Sequence, residues 1–259
     1  VGNNYVLDPT CPGVCDYLEN LYRQMTQQWG FTYHKLDFMR AVFVNPDVVF
    51  YDQTVTRLEA YRKGLEAIRK GVGQDSYISV CGGHYNASIG IADSQRSGKD
   101  VLSFWDDKTI HAFKQNIYRI WMSRLWHVDP DAMMVRRRSE PKYPGQWGEL
   151  SLGKFTDIEV QTIALNQYLG GNMVCLTEKF SELDADRKKL YKHVIPSINS
   201  PAVAFDLFAP RCPSKLLTKV TPKCSELEPW VTVTVVNWSE QEKNFSVQLD
   251  HNITESIKA

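Results

Sequence analysis

Lys35 and Asp37 stand two positions apart in the run FTYHKLDFMR, residues 31–40. Phe31, Thr32, Tyr33, Leu36 and Phe38 give that run the aromatic and β-branched content of a strand. Side chains on a strand alternate faces, so Lys35 and Asp37 share one face while His34, Leu36 and Phe38 take the other. Two charges on one face of a core strand are costly unless they pair or take part in chemistry. A neighbouring ammonium favours the ionised carboxylate, so the pair is either a partly solvated ion pair at a strand end or a carboxylate kept charged for a reaction. Other polar groups recur in comparable places. Asp8, Cys81, Asp100 and Asp131 also fall at or just beyond the C-terminal ends of strand candidates.

The elements that would position them alternate along the first three quarters of the chain. NYVLD precedes a helix over 14–29, in which Tyr17, Leu18, Leu21, Tyr22, Met25 and Trp29 recur at helical spacing and Gly30 acts as the closing glycine. YHKLDF precedes a helix of about 54–71, with Leu58, Tyr61, Leu65 and Ile68 on one face. SYISVC, DVLSF, WHVDPD and NMVCLTEK supply further strand candidates, with helical patterns over 108–125, 157–169 and 183–193 between or after them. Six strand–helix units in series predict an α/β fold with a parallel sheet. From about residue 200 the pattern changes to alternating runs, WVTVTVVNWS and KNFSVQLD, which read as antiparallel strands. The expected domains are therefore 1–199 and a small β domain over 200–259. Six units fit an open sheet or a piece of a (β/α)8 barrel, and polar groups gathered at strand C-terminal ends favour the barrel.

YHKLDF, the long segment LEAYRKGLEAIRKGVGQDSYISVCGGHYNASIGIADSQRSGKD and RLWHVDPDAMMVR together resemble glycoside hydrolase family 36, the bacterial α-galactosidases of the melibiase clan. The resemblance runs from residue 5 to about 195 and continues more weakly into the β domain. It implies a (β/α)8 TIM barrel, of which about the last six units are present, followed by a small antiparallel β-sandwich. NYVLD then corresponds to the third barrel strand. The strands implied to precede it would come from a larger polypeptide or from a partner, including a second copy of the chain.

The same resemblance assigns roles. Asp37 becomes the nucleophile and Lys35 a ligand of sugar hydroxyls; Arg96 binds sugar, Asp100 is the general acid/base and Cys81 contacts the galactose ring. Gly83 and Lys99 depart from many relatives at positions bordering the pocket. A retaining glycosidase sets its two carboxyl groups about 5–5.5 Å apart, one attacking the anomeric carbon and one protonating the leaving oxygen. Asp129 and Asp131 read as structural, hydrogen-bonding carboxylates. His84 and His127 are candidates for the pocket mouth. Trp105, Trp126 and Trp147 are candidates to stack on sugar, with burial favoured for Trp126.

The implied activity is release of terminal α-galactosyl groups from oligosaccharides or glycoconjugates, without metal or organic cofactor. The alternatives are galactosyl transfer of the raffinose-synthase kind and an inactive fragment that needs its N-terminal part. Lys+Arg and Asp+Glu both number 30 in the 259 residues, which argues against nucleic acid or an anionic membrane as partner. The six cysteines show no zinc spacing, and Cys81 and Cys175 read as free thiols. The compartment stays open, with the cytoplasm favoured.

Overall fold

The computed structural model describes residues 5–44, 47–102, 105–136, 155–171, 173–208, 212–224 and 226–248. Trp147, and Ser103 and Phe104 of DVLSF, lie outside the described residues. The chain divides into two compact units, Val1–Arg96 with Leu125–His127 and Ser97–Arg124 with Val128–Ala259.

In the first unit, helix α1 (Val14–Gln27) leads to strand β1 (Tyr33–Leu36), a single turn α2 (Ala41–Val44) and helix α3 (Arg57–Val72). Strand β2 (Tyr77–Val80), a turn of helix α4 (Tyr85–Ser88) and strand β3 (Ser94–Arg96) follow. A capping box starts α3: Glu59 N–H donates to Thr56 Oγ, and Thr56 N–H donates to the Glu59 carboxylate at 2.7 Å. The helix buries Tyr61, Leu65 and Ile68 as its spacing predicts, but Leu58 lies 41% exposed. α1 packs on α3 at close range, because a Cβ at Gly71 would meet Glu19 O at 2.4 Å. Only glycine leaves room for that approach.

β1, β2 and β3 pair parallel in that order. Leu36, Ile78 and Val80 face the helices and join Tyr61, Leu65, Ile68 and Ile91 in one core. Arg69 ties the starts of β2 and β3 together: its guanidinium donates to Ser76 O and Ile91 O and pairs with Asp93, whose carboxylate also accepts Ile78 N–H at 2.7 Å. His127 N–H donates to Asp93 O at 2.9 Å and opens strand β4 (His127–Asp129).

The second unit contains helix α5 (Asp107–Arg119), strand β5 (Ala132–Met133), helix α6 (Asp157–Gly170), strand β6 (Cys175–Leu176) and helix α7 (Ala185–Lys192). β5 and β6 pair parallel. Phe113, Met133, Val160, Ile163 and Tyr191 form its main core, with Trp105 packed against it. Strands β7 (Val203–Ala204), β8 (Lys215–Val220) and β9 (Trp230–Val235) make a separate antiparallel sheet.

The result is an α/β fold with parallel ladders and a distinct antiparallel sheet. Three strand candidates behave differently from expectation. Residues 5–8 of NYVLD are not a strand; Asp8 turns its carboxylate on its near neighbour, accepting Thr10 N–H at 2.8 Å, and also accepts the distant Tyr51 N–H at 2.7 Å. Such local side-chain bonds compete with ladder formation. The strand near DVLSF sits earlier, at Ser94–Arg96, while Val101 N–H is taken by Asp131 Oδ2 at 2.8 Å. Residues 243–248 of KNFSVQLD form no strand either. Among the described residues no helix is long and apolar enough to cross a membrane.

Candidate active site

Register brings four of the expected site residues together. Lys35 faces Ser79, and Ser79 faces Ser94; one step on, Leu36 faces Val80 and Val80 faces Gln95. The next residues of the three strands are Asp37, Cys81 and Arg96, so the three lie side by side at the C-terminal ends of β1, β2 and β3. Alternation puts Lys35 on the same face as Asp37, and burial follows it: His34 and Leu36 are buried, Tyr33 and Lys35 exposed.

The backbone closes around this layer. Cys81 N–H donates to Leu36 O at 2.7 Å, and Arg40 N–H donates to Gly82 O at 2.7 Å, so the chain after Asp37 folds over the end of β2. That fold places Phe38 in the left-handed region at φ 54, at a cost of ~1–2 kcal/mol for a residue with a Cβ. Phe38 N–H in turn donates to Asp37 Oδ1 at 2.7 Å, which fixes the carboxylate rotamer. Backbone strain of this kind collects at functional sites. No signal in the sequence marks Phe38 for it.

Burial alone would raise the pKa of Asp37. The Cys81 thiol and Phe38 N–H donate to its carboxylate, the charges of Lys35 and Arg96 add to them, and together they hold it below the usual aspartate value. The Cys81 thiol is pushed the other way, up to about 11, by burial and by its bond to Asp37. At neutral pH it is therefore a protonated donor, not a nucleophile. Cys81 and Arg96 are each 8% exposed, whereas Asp37 and Lys35 are open to solvent. A ligand reaching this layer meets an ionised carboxylate and an ammonium first.

Tyr85, which sequence reasoning passed over, supports Arg96: its hydroxyl donates to Arg96 O at 3.2 Å and its ring stacks on Trp126. Trp126 is 6% exposed and packs rather than offering a platform. His127 stacks on Tyr77 and shares a 2.9 Å hydrogen bond with its hydroxyl. His84 precedes α4, its carbonyl accepting Ser88 N–H and Oγ–H. Gly83 has a packing cause: a Cβ there would meet Val80 Cγ1 at 2.4 Å and Tyr61 Oη at 2.5 Å.

Asp100 belongs to the second unit, where it is exposed. Its backbone is held on both sides. Lys99 N–H donates to Gln115 Oε1 at 2.9 Å, and Val101 N–H to Asp131 Oδ2. Asp131, in the left-handed region at φ 71, is itself fixed by its N–H to the buried Asp129 carboxylate at 2.8 Å. Among the described residues, no three His, Cys, Asp or Glu side chains gather as metal ligands.

No family model matches the sequence. The fold is similar to that of TtGalA, an α-galactosidase from Thermus thermophilus. In complex with p-nitrophenyl α-D-galactopyranoside that structure gives a TM-score of 0.57 at 23% identity, over 83% of this chain and 41% of that one. Its complex with stachyose gives 0.56 at 24%, over 73% and 40%. A GH27 β-L-arabinopyranosidase from Geobacillus stearothermophilus gives 0.58 at 15%, over 88% and 51%. The chain thus shares a fold with these glycosidases and spans 40–51% of their length.

Proposed function

We propose that the Asp37 layer is the nucleophile half of a retaining exo-glycosidase site, acting on terminal α-D-galactosyl groups within a (β/α)8 framework. The observation that carries this reading is the carboxylate of Asp37, kept ionised by Cys81, Phe38 N–H, Lys35 and Arg96 at the ends of adjacent parallel strands. The likeness in fold to an α-galactosidase seen with stachyose and to an arabinopyranosidase supports both the reaction class and the sugar, since β-L-arabinopyranose repeats the galactose ring without its C6 group.

In this reading an Asp37 oxygen attacks the anomeric carbon as the bond to the leaving oxygen breaks. Asp100, assigned on its motif, gives that oxygen a proton. Water then loses a proton to the Asp100 carboxylate and displaces Asp37 from the galactosyl ester. Two inversions give net retention. Lys35 and Arg96 bind sugar hydroxyls, and Cys81 donates to Asp37 against the galactose ring.

Hydrolysis of p-nitrophenyl α-galactoside tests the proposal, with Asp37→Ala beside the unaltered chain. The variant should lose about 10⁴-fold or more in kcat, as removal of a covalent nucleophile does elsewhere. Added azide should restore release of nitrophenol and give β-galactosyl azide, because the small anion enters from the side Asp37 occupied. Unchanged hydrolysis by the variant, or an α-configured azide, overturns the assignment.

A further inference from the structure

We propose that the second unit carries a separate binding site for an acidic saccharide, in the cavity between α5 and the segment that follows β9. The cavity measures about 450 Å3, within the usual range for small-ligand sites. The anionic preference comes from its walls. Lys114, Lys243 and His111 line it, and none of its described lining residues is Asp or Glu. Asp206, whose charge acts on Cys212 in the wall, already accepts Ser214 N–H at 2.9 Å and Lys215 N–H at 3.1 Å. The buried Cys212 thiol is pushed up to about 12 by desolvation, so it adds no negative charge.

The preference for a ring comes from Trp238. Its indole N–H donates to Pro213 O at 2.8 Å, and its ring packs against the main core of the unit and against a second cluster of Ile117, Leu169 and Leu216, which fixes its plane. Lys114 Nζ lies over the ring, 5.7 Å from its centroid, so the ammonium and the indole form one wall that a ring-bearing anion would meet together. The rim is hydrogen-bonded as well: Ser239 donates from N–H and Oγ to Asn237 Oδ1 at 3.1 and 2.8 Å. A pyranose offers an apolar face to an indole and hydroxyls to such a rim, while its carboxylate, sulfate or phosphate pairs with the ammonium groups. The choice of a saccharide rests on the proposed glycosidase function. The anionic character rests on the lining charges alone.

Calorimetric titration of the whole chain with trigalacturonate, raffinose and inorganic phosphate tests this site. Trigalacturonate should bind, more weakly as salt rises, and raffinose should give no heat at the same concentration. A Lys114→Gln/Lys243→Gln double variant should bind about tenfold more weakly or worse, Lys243→Arg should bind like the unaltered chain, and Asp37→Ala should leave binding intact. Gln115 is avoided, because it also holds Lys99 beside Asp100. No binding, binding untouched by the double variant, or equal binding of raffinose overturns the proposal; phosphate binding as tightly as trigalacturonate leaves an anion site and removes the saccharide. Hydrolysis of p-nitrophenyl α-galactoside by the double variant separates the two readings. Retained hydrolysis with lost binding places the lysines in this site alone, and retained binding in a chain without hydrolysis leaves this site standing independently of the Asp37 assignment.

Discussion

In the first unit hydrogen bonds and charges converge on the side chain of Asp37; in the second, two hydrogen bonds hold the backbone either side of Asp100. Asp37 receives a thiol, a backbone N–H and two cationic neighbours, all of which favour its ionised form. Lys99 and Val101, flanking Asp100, give their N–H groups to Gln115 and Asp131. The first arrangement sets a charge state and the second sets a position. A nucleophile has to be ionised before substrate arrives, so a fixed electrostatic surrounding suits it. A proton donor has to be in reach of the leaving oxygen, so a fixed backbone suits it.

The largest effect expected is the loss of about 10⁴-fold in kcat for Asp37→Ala, followed by nitrophenol release. On the other side, Asp131→Ala removes the acceptor of Val101 N–H and places a Cβ residue without a local partner at φ 71. A shift of about 1 Å at a catalytic group can cost 10²-fold, so kcat should fall by about 10–100-fold with KM little changed. Asp131→Asn, which keeps an acceptor and tolerates the left-handed region, should restore most of it. A similar loss in both variants would show that the charge of Asp131 matters rather than its placement of residue 101.

Gly83→Ala probes the packing under the first arrangement. Its Cβ would overlap Val80 Cγ1 and Tyr61 Oη, and overpacking of this kind costs about 1–3 kcal/mol, readable by urea unfolding. Activity per folded molecule should change less than stability does. Lys35→Met also removes a proposed sugar ligand, so its informative readout is the pH profile rather than the size of the rate loss. Lys35 contributes to the lowering of the Asp37 pKa, so its removal should move the acidic limb of kcat/KM to higher pH. A limb that stays in place would mean that Cys81, Phe38 N–H and Arg96 suffice.

How much of this was legible in the sequence differs residue by residue. The Lys35–Asp37 face followed from strand alternation, and α1, α3, α5 and α6 followed from periodicity, because both signals are local. The meeting of Asp37 with Cys81 and Arg96 depends on strand register, which pattern alone does not supply; the family resemblance carried it. Residues 5–8 and 243–248 misled because alternation is a local signal, and among the described residues neither segment is paired into a sheet. Phe38 was invisible, since nothing local asks an aromatic residue to adopt φ 54. The role of Gly83 could not be read either, because the atoms that exclude a side chain there belong to β2 and α3.

The smallest effect expected is on stability, and its sign follows from the lowered pKa of Asp37. A carboxylate whose pKa is lower folded than unfolded binds fewer protons in the native state, so it stabilises the fold above its unfolded pKa of about 3.9. That contribution is lost as the pH falls through the folded value. Asp37→Asn also leaves Lys35 and Arg96 facing a neutral group, so the unaltered chain should be the more stable at pH 7, by an amount that salt reduces because Asp37 is exposed. Urea unfolding of both chains should show this advantage constant above about pH 5 and shrinking below about pH 4. An advantage that grows on acidification would mean that burial, which raises the pKa of Asp37, outweighs the donors and charges around it, and the charge-setting half of the comparison would fall.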